Sequence, residues 1–267
     1  MATIVVDGCA IATIDASGTE YATGHLVITD GLVAAVGPGP APPIDGARRV
    51  DGSGCLATPG LVNTHHHLYQ WLTRGHAQDG TLFQWLSTLY PIWSHLDDEL
   101  EFAAASAGLA ALALSGCTTA MDHHYLFPAG GGDLLAAEID AARRIGLRFH
   151  PMRGSMNLGR SAGGLPPDEV VEDAEAILAA CQDAVRTYHD ASFDSMLRIG
   201  IAPCSPFSVT ADLMRECADL ARHLGVRLHT HLAETKDEEQ FCLATFGARP
   251  VDYVESLGWL GEDVWLA

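Results

Sequence analysis

The sequence has one lysine, Lys236, and none in positions 1–235. Chemistry that needs a lysine from that long stretch is closed to it. It has no C-x-x-C pair: Cys9, Cys55, Cys117, Cys181, Cys204, Cys217 and Cys242 lie scattered. That excludes a zinc ribbon or a dithiol redox motif, and an odd, dispersed set reads as reduced thiols. No apolar run reaches the roughly 18 residues that a transmembrane helix needs. No basic region precedes the apolar N-terminal stretch, which Asp7 interrupts, so the start reads as a strand and not as a signal peptide. The cytoplasm is the expected compartment. Positive charge is scarce: 15 Lys plus Arg against 34 Asp plus Glu give a formal net charge of -19. Such a chain repels phosphate backbones and anionic membranes. The expected partner is a small molecule, with no nucleic acid and no membrane. A homo-oligomer stays open.

What is present falls into two stretches. Residues 1–57 carry short strand-like runs, TIVVDG, HLVITDG and LVAAVG, each closed by a glycine turn. They predict a small β domain. From residue 58 to 267, strand-like runs alternate with Ala- and Leu-rich helical runs. The predicted strands are 59–65, 117–122, 147–152, 196–202 and 226–231. Helices are expected to open at Asp97 and at Asp168–Glu169, where acids suit the helix N-terminus. Strands alternating with helices imply βαβ units and a parallel sheet, hence an α/β barrel or an open doubly wound sheet. A sixth strand begins in DVWLA and stops at Ala267. The expectation is a chain truncated from a longer protein.

Two motifs carry chemistry. In NTHHHLYQ, His65 and His67 stand two apart at a strand's end, so both side chains share a face and His66 points away. Neutral imidazoles are good zinc ligands. In HTHLAE, His231 supplies a third nitrogen, and Glu234 stands where it can serve as general base and then general acid. Both motifs lie at C-terminal strand ends, where barrel active sites assemble.

PGLVNTHHH, SGCTTAMD and RLHTHLAE together resemble the amidohydrolase superfamily, in the branch that holds triazine hydrolases and guanine deaminases. The resemblance covers nearly the whole chain. It implies N-terminal β-sandwich strands followed by the first five to six strands of a metal-dependent (β/α)8 TIM-like barrel. It implies one divalent metal, zinc or else Fe2+, on His65, His67 and His231, with Glu234 as proton shuttle. A further His after strand six and an Asp after strand eight, both part of the family's site, would lie beyond Ala267. The binuclear members' carboxylated strand-four lysine has no counterpart. Finer resemblance through DHHYLFP, APCSPFSV and THLAETKDEEQFC implies deamination of a purine base: 8-oxoguanine plus water to urate plus ammonia. Gln70, Cys204 and Arg153 are the candidate substrate contacts, though Arg153 could instead pair with a neighbouring carboxylate. His123 and His124 follow strand two, either lining the pocket or structural. Trp71, Trp85 and Trp93 fall in a long loop after strand one. The alternatives are a triazine or other aminoheterocycle hydrolase and, from another class, a non-catalytic fragment. The 267 residues alone are expected to lack useful catalysis.

Overall fold

Apolar alternation makes the N-terminal segment a sheet. In the computed structural model, which describes residues 2–267, this first unit ends at Leu61 and a second runs Val62–Ala267. The first holds β1 (Thr3–Ala12), β2 (Glu20–Thr29), β3 (Leu32–Pro38), β4 (Arg48–Asp51) and β5 (Leu56–Ala57). Its order is β3-β2-β1-β4, with β5 also paired to β1. Asp30 and Gly31, both at positive φ, close the β2–β3 hairpin. That is the two-residue turn whose twist suits antiparallel strands. Val5, Val27 and Ala41 form the unit's small core.

The second unit is built on β6 (Leu61–Asn63), β7 (Cys117–His124), β8 (Arg148–Ser155), β9 (Gly200–Pro203), β10 (Leu228–Thr230) and β11 (Val264–Leu266). They make one parallel sheet in chain order. Among the described residues seven α-helices accompany them: α1 (Leu82–Trp93), α2 (Asp98–Leu114), α3 (Leu134–Ile145), α4 (Ala174–Tyr188), α5 (Ala211–Leu224), α6 (Lys236–Phe246) and α7 (Pro250–Ser256). A flat sheet with strands about 4.8 Å apart would hold β6 and β11 roughly 24 Å from one another. Instead Trp265 of β11 donates its indole N–H to the carbonyl of Thr64, just past β6, at 3.0 Å. The sheet is therefore strongly curled, as half of a barrel. Met121, Met152, Ala202 and Trp265 cluster together. Residues of opposite parity, Ala120, Phe149 and Ile201, join the larger core with Ile139, Ile177 and Met214 of α3, α4 and α5. The strands thus present one face inward and the other to the helices.

Side-chain caps fix the helix starts. Asp97 caps α2 as expected, accepting from the Leu100 N–H at 2.8 Å. Two helix expectations need correction. Asp168 and Glu169 open only a short 3-10 turn, and α4 starts at Ala174. The Asp173 carboxylate, taking the N–H groups of Glu175 and Ala176, is the cap that sets the boundary. Residues 82–93, expected as loop, form α1, because Thr81 and Gln84 make a reciprocal capping box. Pro91 sits near its end, inside the helix.

Trp93, the last residue of α1, is fully buried. It donates to Thr73 Oγ1 at 3.0 Å and packs edge-on against Tyr69 and Trp85. It pins the loop that follows the first histidine pair. Trp93→Ala should cost about 3–5 kcal/mol, read as a lowered urea midpoint. A loss below about 1 kcal/mol would show the loop to be held by other contacts.

Candidate metal centre and pocket

Parallel strands bring their C-terminal ends to one side, and the curl turns those ends toward one another. His65 and His67 follow β6, and His231 follows β10. Their side chains converge. His67 Nε2 lies 3.2 Å from His65 Nε2 and 3.0 Å from His231 Nε2. His66 stands apart, its Nδ1 accepting the His67 backbone N–H at 2.8 Å.

The protons on these rings are placed by their other nitrogens. His67 Nδ1 donates to the His123 carbonyl at 2.7 Å, and His231 Nδ1 donates to the Cys204 carbonyl at 2.8 Å. A neutral imidazole carries one N–H. Both Nε2 atoms therefore present lone pairs to each other at 3.0 Å, which repel unless a cation lies between them. Metal–nitrogen bonds of 2.0–2.1 Å in tetrahedral array set ligands about 3.4 Å apart, close to the spacings seen. The donor set fits one divalent metal with a position left open. Burial disfavours the imidazolium, pushing His65 down to about 4 and His231 to about 3, and holding His67 well below the usual histidine range. The rings stay neutral and free to ligate.

The layer beneath this centre is acidic and sealed. Asp122 of β7 accepts the Leu68 N–H at 2.6 Å, fixing the chain directly after His67. Glu101 of α2 and Glu138 of α3 are fully buried nearby, and His124 Nδ1 lies 3.7 Å from Glu101. His124 Nε2 donates to the Leu126 carbonyl, so its Nδ1 is an acceptor. Burial pushes Asp122 up to about 7 and both glutamates well above the carboxylate range. This layer holds its charge down by keeping protons.

A cavity of about 170 Å³ opens over the histidines. Gln70, Tyr90, Tyr125, Cys204, Phe207 and Glu234 are among its walls. Glu234 follows His231 at the cavity's rim. Partial burial of its carboxyl, and then the charge of Glu238, raise its pKa to about 7. Glu238 is tied down by accepting the N–H groups of Ala233 and Glu234 at 3.0 and 2.8 Å. Burial pushes the Cys204 thiol up to about 12, so it stays an S–H. Arg153 is not among the cavity's walls. It pairs with Glu172 at 2.6 Å, stacks over Phe127 and donates to the Gly154 carbonyl.

Three contributors, Tyr90, Tyr125 and His229, escaped the sequence reading of the site, and His123, left open there between pocket and structural roles, joins them. Tyr90 and Tyr125 give two buried phenols to the wall. His123 stacks on His231 with ring centroids 4.6 Å apart and donates Nε2–H to the Ala202 carbonyl. His229 contacts His65 directly, Nε2 to Nδ1 at 2.8 Å. The signal for His229 was available: it stands two residues before His231, the same spacing that pairs His65 with His67.

Residues 56–267 match the amidohydrolase family. The chain is 48% identical over 260 residues to the 8-oxoguanine deaminase of Pseudomonas aeruginosa, covering 96% of this chain and 58% of that protein. It is 37% identical over 270 residues to the hydroxydechloroatrazine ethylaminohydrolase of a Pseudomonas species, covering 96% and 56%. The zinc-complexed atrazine chlorohydrolase TrzN of Arthrobacter aurescens superposes with a TM-score of 0.92 at 30% identity, covering 98% of this chain and 60% of that one. The chain thus spans under two thirds of the length of these relatives.

The convergence makes a direct prediction. Zinc-loaded protein, desalted and measured by elemental analysis, should lose its bound zinc in His67→Ala and His231→Ala and keep it in His66→Ala. Equal retention by all three would place any metal elsewhere.

Proposed function

The chain belongs to the amidohydrolase family, and on that premise we propose that it carries the metal centre of a hydrolytic deaminase acting on a purine base, with 8-oxoguanine as substrate and urate and ammonia as products. One observation carries the reading. Three neutral imidazoles aim lone pairs at one point beside a carboxyl whose pKa is near 7, at the mouth of a cavity. The 48% identity to an 8-oxoguanine deaminase supports the choice of substrate.

His65, His67 and His231 would hold the metal, zinc above Fe2+ given this nitrogen set. When bound, it supplies Lewis acidity that lowers the pKa of water and polarises the substrate. Glu234 takes a proton from the attacking water and passes it toward the ring and the departing amine. The water oxygen bonds to the carbon bearing the amine, the C–N bond breaks, and ammonia leaves. The Gln70 amide can meet a purine edge. The Cys204 S–H, a weak donor, can face the oxygen at C8. Arg153, paired with Glu172 and outside the cavity's walls, is assigned no substrate contact in this reading.

A second reading is a triazine or related aminoheterocycle hydrolase, favoured by the 37% identity to the ethylaminohydrolase and the match to the chlorohydrolase. A substrate panel on the zinc-loaded full-length protein separates the two. Ammonia release from 8-oxoguanine, with guanine poorer, is the expected result. Turnover of an s-triazine with none of any purine moves the assignment to the second reading. Cys204→Ala should harm 8-oxoguanine more than guanine in kcat/KM, and equal losses would remove Cys204 from recognition.

Glu234 gives a pH signature. A general base must be deprotonated, so kcat/KM should rise with pH through about 7. Glu238 raises the Glu234 pKa by its charge. Glu238→Gln removes that charge and should move the acid limb to lower pH. Glu234→Gln should lower kcat on the order of 10²–10⁴-fold. An acid limb that stays in place in Glu238→Gln would take the titration away from Glu234.

A further inference from the structure

His65 differs from its two companions in what holds it. His67 and His231 each give their Nδ1 proton to a backbone carbonyl. His65 Nδ1 meets another imidazole, His229 Nε2, at 2.8 Å. On its far side, His229 Nδ1 lies 2.9 Å from the Trp265 carbonyl, which can only accept. The His229 proton is thus on Nδ1 and its Nε2 is a lone pair. The proton in the short contact must then belong to His65 Nδ1. That leaves the lone pair of His65 on Nε2, which faces His67.

We infer that His229 is a positioning residue for the metal centre: the relay from the Trp265 carbonyl through His229 fixes the tautomer and ring plane of His65, and so sets the centre's affinity. This rests on the metal reading proposed above and assigns a role to a side chain outside the ligand set. A competing arrangement is a cation among His65, His123 and His229, whose ring nitrogens also lie within 4.8 Å of one another. It would leave the lone pairs of His67 Nε2 and His231 Nε2 facing each other at 3.0 Å with no cation between them. The relay also ties the centre to the curl of the sheet, because its far end is a carbonyl of β11 while His65 follows β6.

The test compares wild type, His229→Ala and His229→Gln, stripped of metal and titrated with Zn2+ against a chromophoric chelator and with Co2+ by visible absorption. Loss of a partner that orients a metal-bound histidine typically weakens binding 10–100-fold. His229→Ala should weaken Zn2+ by that factor and alter the Co2+ bands, while the metal-free unfolding temperature stays near wild type. Glutamine, which can offer a carbonyl oxygen to His65 Nδ1–H, should recover part of the affinity. Wild-type affinity and spectrum in His229→Ala would overturn the inference. So would a loss of affinity matched by a loss of metal-free stability. Should the alanine variant not fold, long-range 1H–15N correlation spectra of metal-free wild type decide: a proton on Nδ1 of His65 supports the relay, and a proton on Nε2 overturns it. Wild type that binds no Zn2+ or Co2+ would sink the metal reading first and this inference with it. Binding in wild type that is unchanged in the alanine variant sinks the inference alone.

Discussion

Two backbone carbonyls, those of His123 and Cys204, take the Nδ1 protons of His67 and His231, and the rest of the centre depends on where those protons sit. A neutral imidazole that gives its proton to one side has only a lone pair on the other. The acceptors belong to the segments that parallel pairing lays beside the ligands: β7 beside β6, and β9 beside β10. Register therefore decides ring orientation, and ring orientation decides that three nitrogens face one point. The curl of the sheet does the remaining work. It carries β11 round until Trp265 touches both the Thr64 carbonyl and, through its own carbonyl, His229.

Burial acts on the two kinds of titratable group in opposite charge directions with one outcome. It keeps the histidines neutral by lowering their pKa values and keeps the acids beneath them neutral by raising theirs. The centre is built from uncharged groups in a low-dielectric layer, which a divalent cation would make strongly unequal in potential. Glu234 stands at the edge of that layer. It is shielded enough to hold a proton near neutral pH, and free enough to exchange it at the cavity mouth. A carboxyl poised near 7 suits a group that must both take and give a proton.

Much of this was legible in the residues. The two-residue spacing of His65 and His67 at a predicted strand end pointed to their convergence without His66, although the strand itself ends at Asn63. The alternation of strands and helices from residue 58 onward gave the parallel sheet. The lone Lys236, at the start of α6, leaves no lysine in residues 1–235 to bridge two metals. Other parts were not legible because they depend on partners far away in sequence. Arg153 lies within β8, and the sequence left it between a substrate contact and a neighbouring carboxylate; only the fold brings in Glu172, in the segment before α4, as that partner. Tyr90 enters the cavity from α1, a helix disguised by its aromatics and Pro91 and started by a capping box that apolar periodicity does not reveal. His229 was a matter of reading: the period that paired His65 with His67 applied equally to His229 and His231, but only the sheet's curl shows what His229 meets.

The central claim is that three imidazole nitrogens, and no sulfur, define this centre. X-ray absorption of the zinc-loaded protein tests it most directly, because Cys204 Sγ lies 3.8 Å from the His231 ring and is the nearest competitor. The account predicts a first shell of nitrogen and oxygen at about 2.0–2.1 Å with the outer-shell scattering of three imidazoles. A sulfur contribution at about 2.3 Å, or a shell with one imidazole or none, would contradict it.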